Sequence, residues 1–207
     1  MSVNLFMHKD QLAILILGAG GSSRLGQAKQ LLSFGVSTML NRIVDVALQS
    51  KVGNIYLVLG ASYDEVKASI KDTSVHVIHN KNWEKGLSTS IVAGVNEILQ
   101  QAPSTQGILI MLGDQILILP THINQVVQVF LAEKCDIVYA DYKSDYGPPA
   151  IFGIKTFNEL LSLEMDQGAK KIIKSGMYKI KSVNIPEGKY DIDTTSDYEQ
   201  IKGLIKY

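Results

Sequence analysis

The chain has 207 residues, 46% of them hydrophobic, with 20 basic residues against 20 acidic ones, which fits one domain with a substantial core. Zero formal net charge argues against a nucleic-acid binder, which would carry a basic excess or stripe. A single cysteine, Cys135, excludes an internal disulfide, and no apolar run approaches the ~20 residues of a membrane span. The N-terminus lacks a signal-peptide pattern, because residues 7–11 interrupt the apolar positions early. The expectation is a cytoplasmic protein.

Residues 1–11 read as a lead-in. Residues 12–17 form an aliphatic run suited to a strand buried on both faces. Thr38 is placed to cap a helix reaching about residue 49, and strand 55–59 precedes a helix over 63–70. A short strand over 75–79, a helix over 88–99, a strand over 108–112 and a helix opened by Pro120 and ending near 133 follow. This alternation predicts a mainly parallel sheet covered by helices. From Cys135 the rhythm becomes mixed: strands near 137–141, 150–154 and 178–183, helical stretches near 157–163 and 169–174, and a last helix over 196–205. Residues 12–134 read as a nucleotide-binding part. Residues 135–207 complete the pocket within the same domain.

Ligands in open α/β sheets bind at the carboxyl ends of the strands. At such an end stands Leu17-Gly18-Ala19-Gly20-Gly21-Ser22-Ser23-Arg24, with Lys29 downstream. Small residues let backbone N–H groups approach a ligand, and two cations add full charges. The loop therefore reads as a polyphosphate site. The P-loop fails because Lys29 lies between Ala28 and Gln30, and the dinucleotide fingerprint fails because Ser23 holds its third glycine position.

Asp114, in Gly113-Asp114-Gln115, follows an apolar strand where a carboxylate can hold a divalent cation with substrate phosphates, or merely cap a turn. Asp191 and Asp193, spaced to share a side of an extended chain, could complete that metal site. Asp193 or Thr194 could instead prepare the final helix, with Asp197 in its first turn. Gly86 and Ser88 open a helix whose free N–H groups and hydroxyls could bond a nucleotide or serve only as caps. The proline turn over 146–152, with Gly147 and Pro149, could shape an acceptor pocket or be a turn alone. His8, His76, His79 and His122 show no metal-ligand or triad spacing.

In this order, these motifs, with Gly60-Ala61, Glu84-x-Gly86-x-Ser88-x-Ser90, Gly147-x-Pro149-x-x-Phe152 and Asp191-Ile192-Asp193-Thr194, resemble the MobA-like nucleotidyltransferases. The branch most similar is that of the molybdenum cofactor cytidylyltransferases. The resemblance implies a GT-A-like, nucleotide-diphospho-sugar-transferase fold: an α/β three-layer sandwich with a mainly parallel central sheet and a mixed C-terminal third. It implies transfer of a nucleoside monophosphate to a phosphate-bearing acceptor such as molybdopterin, with pyrophosphate released and Mg²⁺ as cofactor. Leu17–Gly20 would contact the base. Gly21–Arg24 and Lys29 would hold the triphosphate, and Gly86 and Ser88 would lie beside the nucleotide. Asp114, with Asp191 or Asp193, would hold the metal, and Gln115, Gly147 and Pro149 would shape the acceptor pocket.

In the family this loop usually begins Leu-Ala-Ala-Gly in cytidylyl enzymes and Leu-Ala-Gly-Gly in guanylyl ones. Here Gly18 replaces the first alanine, while Ala19 keeps the discriminating position, which implies CTP over GTP. The family's usual proline after Asp-Gln is Ile116, which implies a less rigid loop. Rival readings are a sugar- or polyol-phosphate nucleotidyltransferase, a non-catalytic nucleotide-binding partner of a molybdoenzyme or of its chaperone, and a dinucleotide-dependent oxidoreductase.

Overall fold

The computed structural model describes residues 11–22, 25–164 and 168–204. β1 (Leu12–Leu17) is followed by a small hairpin of β2 (Ser33–Phe34) and β3 (Ser37–Thr38), then α1 (Met39–Ser50), β4 (Asn54–Leu59), α2 (Tyr63–Ser69) and β5 (His76–His79). Next come α3 (Leu87–Gln101), β6 (Gly107–Leu112) and α4 (Pro120–Glu133). The last third contributes β7 (Ile137–Asp141), β8 (Tyr146–Gly153), α5 (Phe157–Leu161), α6 (Lys170–Lys174), β9 (Ile180–Asn184) and α7 (Thr195–Leu204).

The large sheet runs β5-β4-β1-β6-β8-β7-β9. β1 lies inside it, parallel to both β4 and β6, so all its side chains are buried, as its aliphatic run requires. Alternate residues feed two cores. Leu12, Ile14 and Ile16 meet α1 and α4, whereas Ala13, Leu15 and Leu17 meet α3, α5 and α6. The result is an α/β three-layer sandwich. α3 lies so close to the sheet that a Cβ on Gly94 would come within 2.3 Å of Leu15 Cδ1. Thr38 caps α1 as expected, its hydroxyl accepting from Asn41 N–H at 3.3 Å.

β8 is antiparallel to β6 and to β7, and β9 runs parallel to β7, which makes the last third mixed. One expectation is corrected here: residues 146–149 belong to β8 rather than to a turn. The pairing jumps from Tyr139↔Ala150 to Ala140↔Gly147. Pro148 and Pro149 therefore sit in a bulge, where no ladder hydrogen bond is demanded of them.

A third, small core of Leu32, Phe34, Met39, Ile116, Ile192 and Ile201 packs α7 onto the hairpin. It corrects the expectation for Ile116. That side chain is fully buried, and its N–H donates to Asp114 O at 3.0 Å. Apolar packing against Ile192 thus anchors the loop in the absence of proline.

Candidate active site

The carboxyl ends of β1, β4 and β6 share one edge, and the glycine loop crosses it. Gly18 N–H continues the ladder to Val58 O at 2.9 Å, and Gly113 N–H, after β6, donates to Leu17 O at 2.9 Å. Ser22 turns the chain with φ of 50°, and its hydroxyl accepts from Lys29 N–H at 3.0 Å. The sole tryptophan, Trp83, packs against this loop. A Cβ on Gly21 would come within 2.7 Å of its ring, and one on Gly60 within 2.5 Å of its Cβ. Loop, tryptophan and the start of α3 enclose a cleft of about 370 Å³ lined by Leu17, Gly18, Ala19, Gly20, Gly21, Lys29, Gly86 and Asp114. Ser23 and Arg24 lie outside the described residues.

Lys29 ties the site together. It begins a short 3-10 turn, Lys29–Leu31. Its Nζ donates to Asp114 Oδ2 at 2.7 Å, to Asp193 Oδ1 at 2.9 Å and to the Ile192 carbonyl at 3.0 Å. Burial alone would lower the lysine pKa. The attraction of Asp114 and the hydrogen bonds to both carboxylates outweigh it, so the pKa is raised and the ammonium persists. Asp114 reaches it because Gly113 packs tightly: a Cβ there would be 3.1 Å from Leu40 and 3.2 Å from Leu17 O.

The second carboxylate oxygen, Asp114 Oδ1, is buried and has no hydrogen-bond partner. Asp191 has a raised pKa, through desolvation first and then repulsion from Asp114 and Asp193. Two carboxylates thus contact one ammonium while Asp191 adds to the negative field, and an additional cation would relieve the excess. Among the described residues, no three His, Cys, Asp or Glu side chains cluster closely enough to hold a metal by themselves.

The two roles open to Asp193 and Thr194 separate here. Thr194 caps α7 in a reciprocal box, accepting from Asp197 N–H at 3.2 Å while Asp197 accepts from Thr194 N–H at 2.7 Å. Asp193 is thereby left to face Lys29.

Gln115 lies across a second cavity, of about 330 Å³, shared with Tyr142, Tyr146, Pro148, Lys170 and Asp191. Its amide donates to Tyr142 OH at 3.0 Å and to Gly188 O at 2.5 Å, and Tyr142 OH donates to Pro148 O. Burial raises the pKa of Tyr142 strongly, so it remains a neutral donor. Gly147 borders an adjoining apolar cavity with Leu17, Leu112 and Phe152. Pro149 is buried, and Pro148 is the proline that borders both cavities. Ser88 faces a separate surface cavity, and Ser90, held by Asn80 Nδ2 at 2.9 Å, takes its place along the cleft.

Gln30, Trp83 and Tyr142 had no role assigned from sequence, and Ser90 entered only through the Glu84-x-Gly86-x-Ser88-x-Ser90 motif. Gln30 is buried, and its amide bonds the Gly18 and Gly20 carbonyls at 2.8 and 2.9 Å. Only Trp83 carried a local signal, as the one tryptophan in the segment leading to α3.

Similarity to known proteins places the chain in a family. Residues 14–182 match the model of the MobA-like NTP transferase domain. The chain belongs to that family. Over 209 residues it is 27% identical to the Bacillus subtilis purine catabolism protein PucB, covering 95% of this chain and 98% of that protein. It is 37% identical to the Escherichia coli molybdenum cofactor cytidylyltransferase over 82 residues, which is 39% of this chain and 42% of that enzyme. Among solved structures, Rv0371c from Mycobacterium tuberculosis superposes with a TM-score of 0.83 at 29% identity, covering 93% of this chain and 97% of that one. A manganese complex of that protein superposes with a TM-score of 0.77 at 26% identity, covering 93% and 98%. Among the described residues no helix is long and apolar enough to cross a membrane.

Proposed function

We propose that this nucleotidyltransferase-family chain moves CMP from CTP to the phosphate of a molybdopterin-type acceptor and releases pyrophosphate. The observation that carries the reading is the Lys29 ammonium held between Asp114 and Asp193 beside a glycine loop. Backbone donors and a fixed cation suit a triphosphate, and the unpaired Asp114 Oδ1 suits a divalent cation. Ala19 at the base-discriminating position of the family loop supports CTP.

In this reading the Leu17–Gly20 backbone contacts the base, with Gly86 also lining the cleft. Gly21–Arg24 would hold the triphosphate with Lys29. Lys29 neutralises charge growing on the α-phosphate and on the departing pyrophosphate, a stabilisation made before the reaction begins. Asp114, with Asp193 or Asp191, holds Mg²⁺. When bound, the ion polarises the phosphorus and steadies the leaving group. An acceptor phosphate oxygen forms the new bond to the α-phosphorus as the bond to the β-phosphate bridge breaks. Gln115, Gly147 and the proline bulge keep the acceptor cavity open. No covalent protein intermediate is required, since such transfers depend on positioning and charge.

A cytoplasmic setting fits the free, buried Cys135 thiol, and a molybdoenzyme or its chaperone would receive the product. Pyrophosphate release, assayed with each nucleoside triphosphate and Mg²⁺ against a panel of acceptors, tests the reading. Turnover with CTP and a pterin phosphate supports it. Turnover only with a sugar or polyol phosphate moves the chain to the rival enzyme class.

A further inference from the structure

Four successive carbonyls of the glycine loop are already bonded within the protein. Leu17 O accepts from Gly113 N–H and Ala19 O from Ala61 N–H, at 2.9 and 3.1 Å. Gly18 O and Gly20 O both accept from the single amide Nε2 of Gln30. The loop's donors are treated the opposite way. Among the described residues, the N–H groups of Ala19, Gly20, Gly21 and Ser22 have no protein acceptor.

Gln30 is an expensive choice for that position. Its Oε1 is buried and unpartnered. The amide cannot be turned to relieve it, because both carbonyls need the NH₂ end. A leucine would fill similar space without an orphaned acceptor, so the residue's value lies in its two donors.

From this we infer that Gln30 is a specificity-determining positioning residue: by tying back both glycine carbonyls it makes the loop a donor-only surface, which selects a base presenting adjacent acceptors. Cytosine offers O2 and N3 side by side. Guanine offers N1–H and an exocyclic amine in the corresponding places, and these would meet donors and remain unpaired. A site built of hydrogen bonds rejects the wrong partner chiefly through such unpaired groups. The inference rests on the cytidylyl reading and deepens it.

The test compares CTP and GTP as substrates of the wild type, Gln30→Leu and Gln30→Glu. Both variants remove Nε2 as a donor, and one keeps the residue's shape. The wild type is expected to favour CTP. Each variant is expected to lose at least about tenfold of that preference through KM, as freed carbonyls become available to guanine. A merely structural role would weaken both nucleotides equally, and a selectivity ratio unchanged in the folded variants overturns the inference while sparing the reading beneath it. A wild type without CTP preference overturns both. Should neither variant fold, wild-type binding of 3-deaza-CTP, which lacks the N3 acceptor, decides. A loss of about tenfold or more relative to CTP supports a donor-only loop, and equal binding contradicts it.

Discussion

The nucleotide side of the sheet and its C-terminal third both present a cavity at strand ends, but they are made of different materials. The first is built mostly of backbone: a glycine loop, the ends of β1 and β6 and the start of α3, with their carbonyls held in place by other parts of the protein. The second is built of side chains, Gln115, Tyr142, Tyr146 and Lys170, on or beside antiparallel β8 and short helices. Nearly every residue type supplies the same backbone donors, so such a wall would suit a ligand that does not change, the triphosphate of the proposed function. Side chains can be exchanged more freely, so they would suit the proposed acceptor, which differs among enzymes of one fold. Lys29 and the Asp191–Asp193 segment join the two halves.

Breaking that junction should have the largest effect. Lys29→Ala and Asp114→Asn are each expected to cut pyrophosphate release by about 10²–10³-fold. Circular dichroism should show the fold retained. Near-normal turnover by either variant would remove the site from the account.

Two glycine substitutions test whether the halves are separable. A Cβ on Gly60 would lie 2.8 Å from Ala19 O as well as against Trp83, and one on Gly188 would lie 2.2 Å from Tyr142 Cε1. Each should cost about 1–3 kcal/mol in a melting experiment. Gly60→Ala is expected to raise KM for the nucleotide, whereas Gly188→Ala, by moving Tyr142 and with it Gln115, should raise KM for the acceptor alone. Parallel changes in both constants would show that the division is false.

Lys170 pairs with Asp145 at 2.7 Å on the rim of the proposed acceptor cavity, with both side chains substantially exposed. Lys170→Ala should therefore leave the melting temperature almost unchanged. A rise of about threefold to tenfold in acceptor KM is the expected kinetic signature, equivalent to about 1 kcal/mol.

The smallest effect is expected at Gly18. A Cβ there would meet Leu40, Leu59 and Leu57 at 3.4–3.5 Å, ordinary contact distances. Gly18→Ala should lie within about 0.5 kcal/mol of the parent. The family's first alanine thus fits the same space, and the glycine needs no functional explanation.

The same division governs what the sequence made legible. β1, β4, β6 and the helices between them were readable because buried parallel strands are continuous aliphatic runs, and Thr38 and Pro120 mark helix starts. Residues 146–149 were misread because two adjacent prolines ordinarily signal a turn, and the bulge that accommodates them depends on β7, a separate strand. Asp114 and Lys29 stood out as charges beside apolar or glycine-rich runs. Gln30 did not, because its partners lie 10 and 12 residues away and its role exists only once the loop has folded back. Ile116 read as a lost proline, and only the fold shows it buried in one small core with Ile192, the neighbour of Asp193.

The most direct test of the central claim is pyrophosphate release by the wild type with CTP, Mg²⁺ and a pterin phosphate acceptor, run beside Asp114→Asn. The account predicts CTP- and metal-dependent turnover that the variant loses by at least about 10²-fold. Turnover with GTP in preference to CTP, or turnover that survives in Asp114→Asn, would contradict it.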